Sequence, residues 1–487
     1  MQFAPCFAAI AFLILGVCLA SPPSVSLSGW AGKATAHFTI YTTGGSEGGQ
    51  DLLKRLETAR LFFERTGWAS RDLKRPLSIL AFGSGKEFDS YRINAGAFAF
   101  YQRTREGDFV VMRSLEPEHY TVAVHEYTHF IVEHSGLKLP LWLNEGLADF
   151  YSTLECRKAQ VVVGIPPPGR EDSLHNRGWI DWATLAAVDQ RSPYYRQPDK
   201  MLAFYAQSWA MVHVLALDPA YSGKFQSFLA AMSSTANADD AFSATYHKTF
   251  QQLGHEVEED VRAKRLEPLI LDIDVRPGDM PAAAVADSSQ QAELALADVQ
   301  AANPNAVEEA KVRLAVLAAK YPDDPRSEES LGFLAMRSGS KSDAEQHFAR
   351  AVKAHSKDPE VLFGLAHLEL ARGGSSDEAI DLLQRAIAAD DSHYNARLEL
   401  GFAAAKSKRF DVAVAALSKI SEPKAEHAYA ISYTLAYCFS ELHQNNRART
   451  YAEQALKRAG SPDDKEQVAG LLRYIDQDSR VEVASYE

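Results

Sequence analysis

Apolar residues change their period several times along this 487-residue chain, and each change marks a different kind of element. His37-Phe38-Thr39-Ile40-Tyr41 alternates with a period of two and is rich in β-branched and aromatic side chains, which predicts a strand. Leu77 to Phe82, Ala97 to Tyr101 and Phe109 to Met112 predict three more, the last two separated by a polar turn from Arg103 to Asp108. Gly44 to Gly49 reads as a loop, and Gly83-Ser84-Gly85-Lys86 as a strand-to-helix turn without the spacing of a phosphate loop. Leu52, Leu53, Leu56, Ala59 and Phe63 recur at helical spacing, so Asp51 to Arg65 is expected to be a helix. Further along, the helical period takes over. Thr121 to Glu133 and Leu143 to Leu154 read as two helices joined through Gly136 and Pro140. Phe204 to Leu217 is another, inside a helical region from about Trp182 to Leu266, and Ile165-Pro-Pro-Pro-Gly169 is a stiff loop before it. Arg276 to Gln290, rich in Pro, Ala and Ser, reads as a linker.

Downstream the pattern repeats itself. Gly332, Ala366, Gly401 and Ala436 recur at steps of 34, 35 and 35, and Ala344, Ala379, Ala413 and Ala448 at 35, 34 and 35. Phe348, Leu383, Leu417 and Ala452 keep the same steps, as do Ala351, Ala386, Ile420 and Ala455. Ala310, Leu314, Leu317 and Pro322 outline a weaker unit upstream. Small residues let paired helices approach closely, and stacked pairs bury a continuous core that one pair cannot. A period of this length, with small residues at these positions, resembles the tetratricopeptide repeat. The resemblance implies an all-α superhelix over 291–480 that binds a protein or peptide partner.

Composition narrows the function classes. Hydrophobic residues make up 46% and charged residues 24%, values of an ordinary globular chain, and the length suggests two to four domains. A formal net charge of −13, with no long Lys/Arg run, argues against a nucleic-acid partner. The amino-terminal end has a pattern of its own. An uncharged apolar run from Phe7 to Leu19, closed by Ala20 and followed by Ser21-Pro22-Pro23, reads as a signal peptide over 1–20. Export to the periplasm or the exterior is therefore expected. The run is short for a span of about 20 residues, and no later stretch is apolar enough, so the mature chain is expected to have no membrane span. Val17 stands where a lipoprotein box wants a small residue, so lipid anchoring at Cys18 is not expected. Cys6 and Cys18 leave with the signal; Cys156 and Cys438 lie in different expected domains and make neither a disulfide framework nor a thiolate zinc site.

The chemistry is concentrated in Val122-Ala-Val-His-Glu-Tyr-Thr-His-Phe-Ile-Val132. Residues i and i+4 of a helix lie about 40° apart around its axis and about 6 Å along it, so His125 and His129 can share one ion. Zinc takes neutral imidazole and, with three protein ligands, keeps a fourth position for water. Glu126 is turned about 100° from His125, toward the place of that water, and suits a general base. Leu141-Trp-Leu-Asn-Glu-Gly-Leu-Ala-Asp-Phe150 supplies the third ligand, with Glu145 and Asp149 again at i and i+4. Glu145 is assigned to zinc, one ion per chain, and Asp149 to the free ring N–H of a ligand histidine. Gly146 and Ala148 are expected to let this helix pack closely on the histidine helix. Such an arrangement, with a glutamate as third ligand, is that of a gluzincin. No Gly-x-Ser-x-Gly is present to serve a serine hydrolase.

The stretch His125 to Tyr151, above all Leu139-Pro-Leu-Trp-Leu-Asn-Glu-Gly-Leu-Ala-Asp-Phe-Tyr151, resembles the peptidase MA-like domains of bacterial proteins, and the likeness extends from about His37 to Leu266, including Tyr205-Ala-Gln-Ser-Trp209. It implies an α+β zincin-like fold, a small mixed sheet with active-site helices over 28–155 and a helical subdomain over 156–270, then a linker at 271–290 and the repeats. It implies zinc peptidase chemistry on a peptide or protein substrate. Tyr205, Tyr194, Tyr195 and His213 lie where gluzincins often place an oxyanion donor, and Tyr205 is preferred among them. The strand Ala97 to Tyr101, or Phe109 to Met112, offers an edge for an extended substrate. The rival expectation is a repeat-based scaffold whose peptidase-like domain binds metal and partners without turnover.

Overall fold

The period-two segments pair into one sheet. A computed structural model of the chain describes residues 29–45, 47–68, 76–92, 97–157, 160–235, 237–272, 283–286, 289–373 and 376–484. The expected signal segment 1–20 lies outside the described residues, as does most of the expected linker. Two units divide between Ala292 and Glu293. The first opens with β1 (Ala31–Ala34), β2 (Phe38–Thr42), α1 (Glu47–Arg65), β3 (Leu77–Ala81), α2 (Gly85–Asp89), β4 (Ala99–Arg103) and β5 (Asp108–Met112). Then come α3 (Tyr120–His134), α4 (Leu141–Ser152), β6 (Glu155–Arg157), β7 (Gln160–Val163), α5 (Arg170–Asn176), α6 (Trp182–Ala186), α7 (Pro193–Arg196) and α8 (Pro198–Leu217). It closes with α9 (Phe225–Ser234), α10 (Ala238–Tyr246), α11 (Phe250–Arg262), β8 (Leu269–Leu271) and β9 (Ala284–Ala286).

The main sheet has the strand order β4-β5-β3-β2-β1-β9. β2, β3 and β5 run parallel, with α1 as the crossover between the first two, while β4, β1 and β9 are antiparallel to their neighbours. β5 is therefore interior, and of the two strands offered as a substrate edge only β4 is one. Three readings of the sequence change. Glu47 to Gly49, placed in a loop, are the first turn of α1. The linker contributes β9, whose Ala284 to Ala286 pair with Ala34 to Gly32 at the sheet border. The region expected to be helical also holds a second, antiparallel sheet, β6-β7-β8, built around the buried run Val161 to Val163. Elements of three or four residues hold too few positions for a period to show.

α3 turns Ala123, Val124, Tyr127, Phe130 and Ile131 into the core, where the Tyr127 ring meets Phe38 and Phe63 edge-on at 5.1 and 6.0 Å. α4 packs against both α3 and α8. A Cβ at Gly146 would stand 2.5 Å from the Ser208 carbonyl oxygen and 2.7 Å from Val212 Cγ2, both on α8. So the glycine serves approach to α8, not to the histidine helix as expected, because the partner of a small residue is set by tertiary packing rather than by local sequence.

The second unit is helical: α12 (Ser289–Ala302), α13 (Val307–Lys320), α14 (Arg326–Arg337), α15 (Lys341–Lys353), α16 (Pro359–Ala371) and α17 (Ser376–Ala389) lead it. α18 (Tyr394–Lys406), α19 (Phe410–Leu417), α20 (Ala425–Glu441), α21 (Asn445–Arg458) and α22 (Pro462–Ala484) complete it. The recurring small positions are where helix pairs touch. Ala344, Ala379, Ala413 and Ala448 are wholly buried, and a Cβ at Gly332 or Gly401 would strike Phe348 or Leu417 at 2.4 or 2.3 Å.

Gly146→Ala is expected to destabilise the protein by about 1–3 kcal/mol, the usual range for overpacking, since the atom it strikes is rigid backbone. A thermal melt at wild-type temperature would show that α4 and α8 have room to part.

Candidate metal centre

One turn of α3 separates His125 from His129, and their Nε2 atoms stand 3.2 Å apart. Glu145 Oε2, from α4, lies 3.3 Å from the first and 3.5 Å from the second. Donors about 2.0–2.1 Å from a common ion at tetrahedral angles stand about 3.3–3.4 Å apart, so this triangle has the edges of a zinc-sized ligand shell. The far ring atoms locate the protons. His125 Nδ1 lies 3.0 Å from Asp149 Oδ1, and His129 Nδ1 lies 3.3 Å from Asn144 Oδ1. Both oxygens only accept, so each Nδ1–H donates and each ring turns its Nε2 inward. Glu145 Oε2 is buried and takes no hydrogen bond. Two imidazole nitrogens and a carboxylate oxygen thus converge, which makes the three residues a candidate metal site.

Charge leads to the same result. Glu126, Glu145 and Asp149 are all buried. The guanidinium bonded to this group is that of Arg170, at the start of α5, whose Nε donates to Asp149 Oδ2 at 2.6 Å and Nη2 to Oδ1 at 3.2 Å. Three carboxylates face one guanidinium, so the cluster carries a surplus of acidic groups. The surplus also appears in the titration of the rings. Burial alone lowers the His125 pKa, but its bond with Asp149 and the nearby Glu145 carboxylate overcome it and push it up to about 10. His129 is raised against burial by the field of Glu145. Glu145 is held well below the usual carboxylate range, burial being outweighed by His129 and by the close approach of both rings. Asp149 is lowered against burial by Arg170 and then His125. A proton and a metal ion compete for the same lone pairs.

Glu126 sits beside the triangle, its Oε2 accepting the Tyr101 backbone N–H of β4 at 2.8 Å. That N–H faces away from β5, so the free rim of β4 runs next to this carboxylate. The Tyr205 ring lies 6.2 Å from that of His125, beneath the Arg170 guanidinium at 5.1 Å. Burial, then Glu145, raises its phenol pKa well above the ordinary value. Tyr195 donates its phenol to Glu145 Oε1 at 3.1 Å. Tyr194 lies under Lys200. His213 points elsewhere, into a pocket walled by Phe150 and Trp209. There burial, opposed by a bond with the Gly164 backbone, lowers its pKa to about 4.

The sequence therefore brought His125, Glu126, His129, Glu145 and Asp149 to one place. It missed Asn144 and Arg170. Asn144 carries a local signal, since it immediately precedes Glu145. Arg170 carries only the stiff Pro-Pro-Pro-Gly169 loop that delivers it, with Gly169 at a φ of 80°.

A sequence model of the tetratricopeptide repeat matches residues 330–391 and 368–426, so the second unit carries repeats of this kind. No curated protein matches the chain. Among solved structures, YrrB, "a TPR protein with an unusual peptide-binding site", is 14% identical over 37% of this chain and 91% of its own, with a TM-score of 0.31. MamA from Desulfovibrio magneticus RS-1 is 16% identical over 33% and 97%, with a TM-score of 0.25. Pseudomonas aeruginosa PilF is 17% identical over 40% and 88%, with a TM-score of 0.27.

Because their acidic neighbours raise the pKa of both His125 and His129, protons compete with zinc for these rings, and zinc uptake is expected to release protons. Affinity should then weaken by about ten-fold or more for each unit of acidification between pH 8 and 6. Calorimetry in buffers of different ionisation heat reads both quantities; a pH-independent Kd would mean the ion binds elsewhere.

Proposed function

We propose that the first unit is a zinc-dependent peptide-bond hydrolase of gluzincin type and that the repeat unit binds a protein or peptide partner. The observation that carries the first part is the convergence of His125 Nε2, His129 Nε2 and Glu145 Oε2 at 3.2–3.5 Å with a further carboxylate, Glu126, alongside. The second part rests on the repeat family alone. The apolar segment before Ser21 supports export of the chain.

Zinc bound by those three residues would supply a Lewis acid and a water of lowered pKa. The chain's own groups do the rest. Glu126 takes a proton from the attacking water and returns it to the leaving amine. Its Oε2 is tied to the Tyr101 N–H, which fixes the carboxylate and leaves Oε1 for the proton. Asp149, held by Arg170, keeps the His125 ring in one tautomer and one orientation. Tyr205, pressed against Arg170 and still carrying its phenolic proton at neutral pH, is a donor for the developing oxyanion. An extended peptide laid along the β4 rim would pass the base, in the manner of strand addition.

Glu126→Gln keeps the shape but cannot accept a proton. It is expected to retain zinc and fold while losing turnover by roughly 10²–10⁴, measured on a quenched fluorescent peptide pool at equal zinc content. Equal rates would remove Glu126 from the mechanism, and no cleavage by either protein with zinc bound would favour the non-catalytic scaffold. His129→Ala or Glu145→Ala should abolish stoichiometric zinc, because two ligands are too few.

A further inference from the structure

We infer that Tyr195 makes Glu145 a one-oxygen donor and so keeps the fourth coordination position free; this rests on the metal-centre reading above. A glutamate has two oxygens and can chelate a single ion with both. If Glu145 did so, the chain alone would fill four positions and water could enter only as a fifth ligand. The two oxygens here are not equivalent. Oε1 accepts the Tyr195 phenol at 3.1 Å, whereas Oε2 is buried, has no hydrogen-bond partner and faces both imidazole Nε2 atoms.

The phenol is held from several sides. α7 is a single turn that begins at Pro193, and Ser192 Oγ caps it by accepting the Tyr194 N–H at 3.3 Å. The Tyr195 ring stacks on Tyr205 at 6.4 Å with an interplanar angle of 25° and meets the wholly buried Phe204 edge-on at 6.1 Å. For Oε1 to turn toward an ion, the carboxylate must break its bond to a donor that packing does not release. Tyr195 is on this account a positioning residue, acting through Glu145 and distinct from the oxyanion donor Tyr205.

The test is cobalt substitution of the full chain, comparing wild type with Tyr195→Phe, which keeps the ring and its stacking and removes only the hydroxyl. Wild type loaded with one cobalt should show the strong visible bands of a four-coordinate ion. In the variant, with Oε1 released to the metal, those bands should weaken by about two-fold as coordination rises to five. Identical spectra at equal loading would overturn the role of Tyr195 and leave the metal centre standing. Failure of the wild type to take up cobalt or zinc would overturn the centre itself, and the inference with it. X-ray absorption on the wild-type zinc protein decides the matter even if the variant does not fold: a carboxylate carbon at the long distance of one-oxygen binding supports the inference, and one drawn in by two-oxygen chelation overturns it.

Discussion

Lone pairs of two imidazoles and a carboxylate repel one another, and inside a protein that repulsion is screened far less than in water. Holding them at 3.2–3.5 Å is the constraint around which the first unit is arranged. α3 brings two of the atoms and is anchored by the ring of Tyr127 between Phe38 and Phe63. α4 brings the third and cannot retreat, because Gly146 already lets it lie against the backbone of α8. A softer core would let the three groups drift apart and relieve the repulsion without a cation.

Outward from the triangle the polar groups alternate in character. The His125 ring meets the Asp149 carboxylate, Asp149 meets the Arg170 guanidinium, and Arg170 lies over the Tyr205 ring. Each link is a donor facing an acceptor or a cation facing a π cloud, so burial of the chain is tolerable at every step. The alternation spans α3, α4, α5 and α8. A change in any one of these helices reaches His125 through side chains that cannot exchange roles, since a guanidinium only donates and a carboxylate only accepts.

The two i, i+4 pairs, His125 with His129 and Glu145 with Asp149, were legible because helix geometry makes sequence spacing equal to spatial neighbourhood. The repeats were legible for a related reason: a recurring small residue reports a recurring helix contact. Arg170 and Tyr195 were not selected, because they reach the site from a loop-borne helix and a single helical turn, 21 and 50 positions from the residues they touch. No period links such positions. β9 escaped notice because Ala284 to Ala286 lie in a Pro/Ala/Ser-rich stretch whose composition says linker, while the open border of β1 supplies the pairing. Gly146 was rightly read as a contact residue, but its partner was misassigned between two helices that both pack on α4.

The bond between the Tyr101 N–H and Glu126 has a further consequence. β4 ends the sheet, and an exposed strand border is a template on which other copies can assemble. Here one of its outward amides is already taken by a buried carboxylate, and Arg103 at its end is tied to Glu133 of α3 at 2.9 Å. A second sheet could not zip along this border in register without displacing an anionic group from its donor. The border thus resists the long, repetitive pairing from which fibres grow.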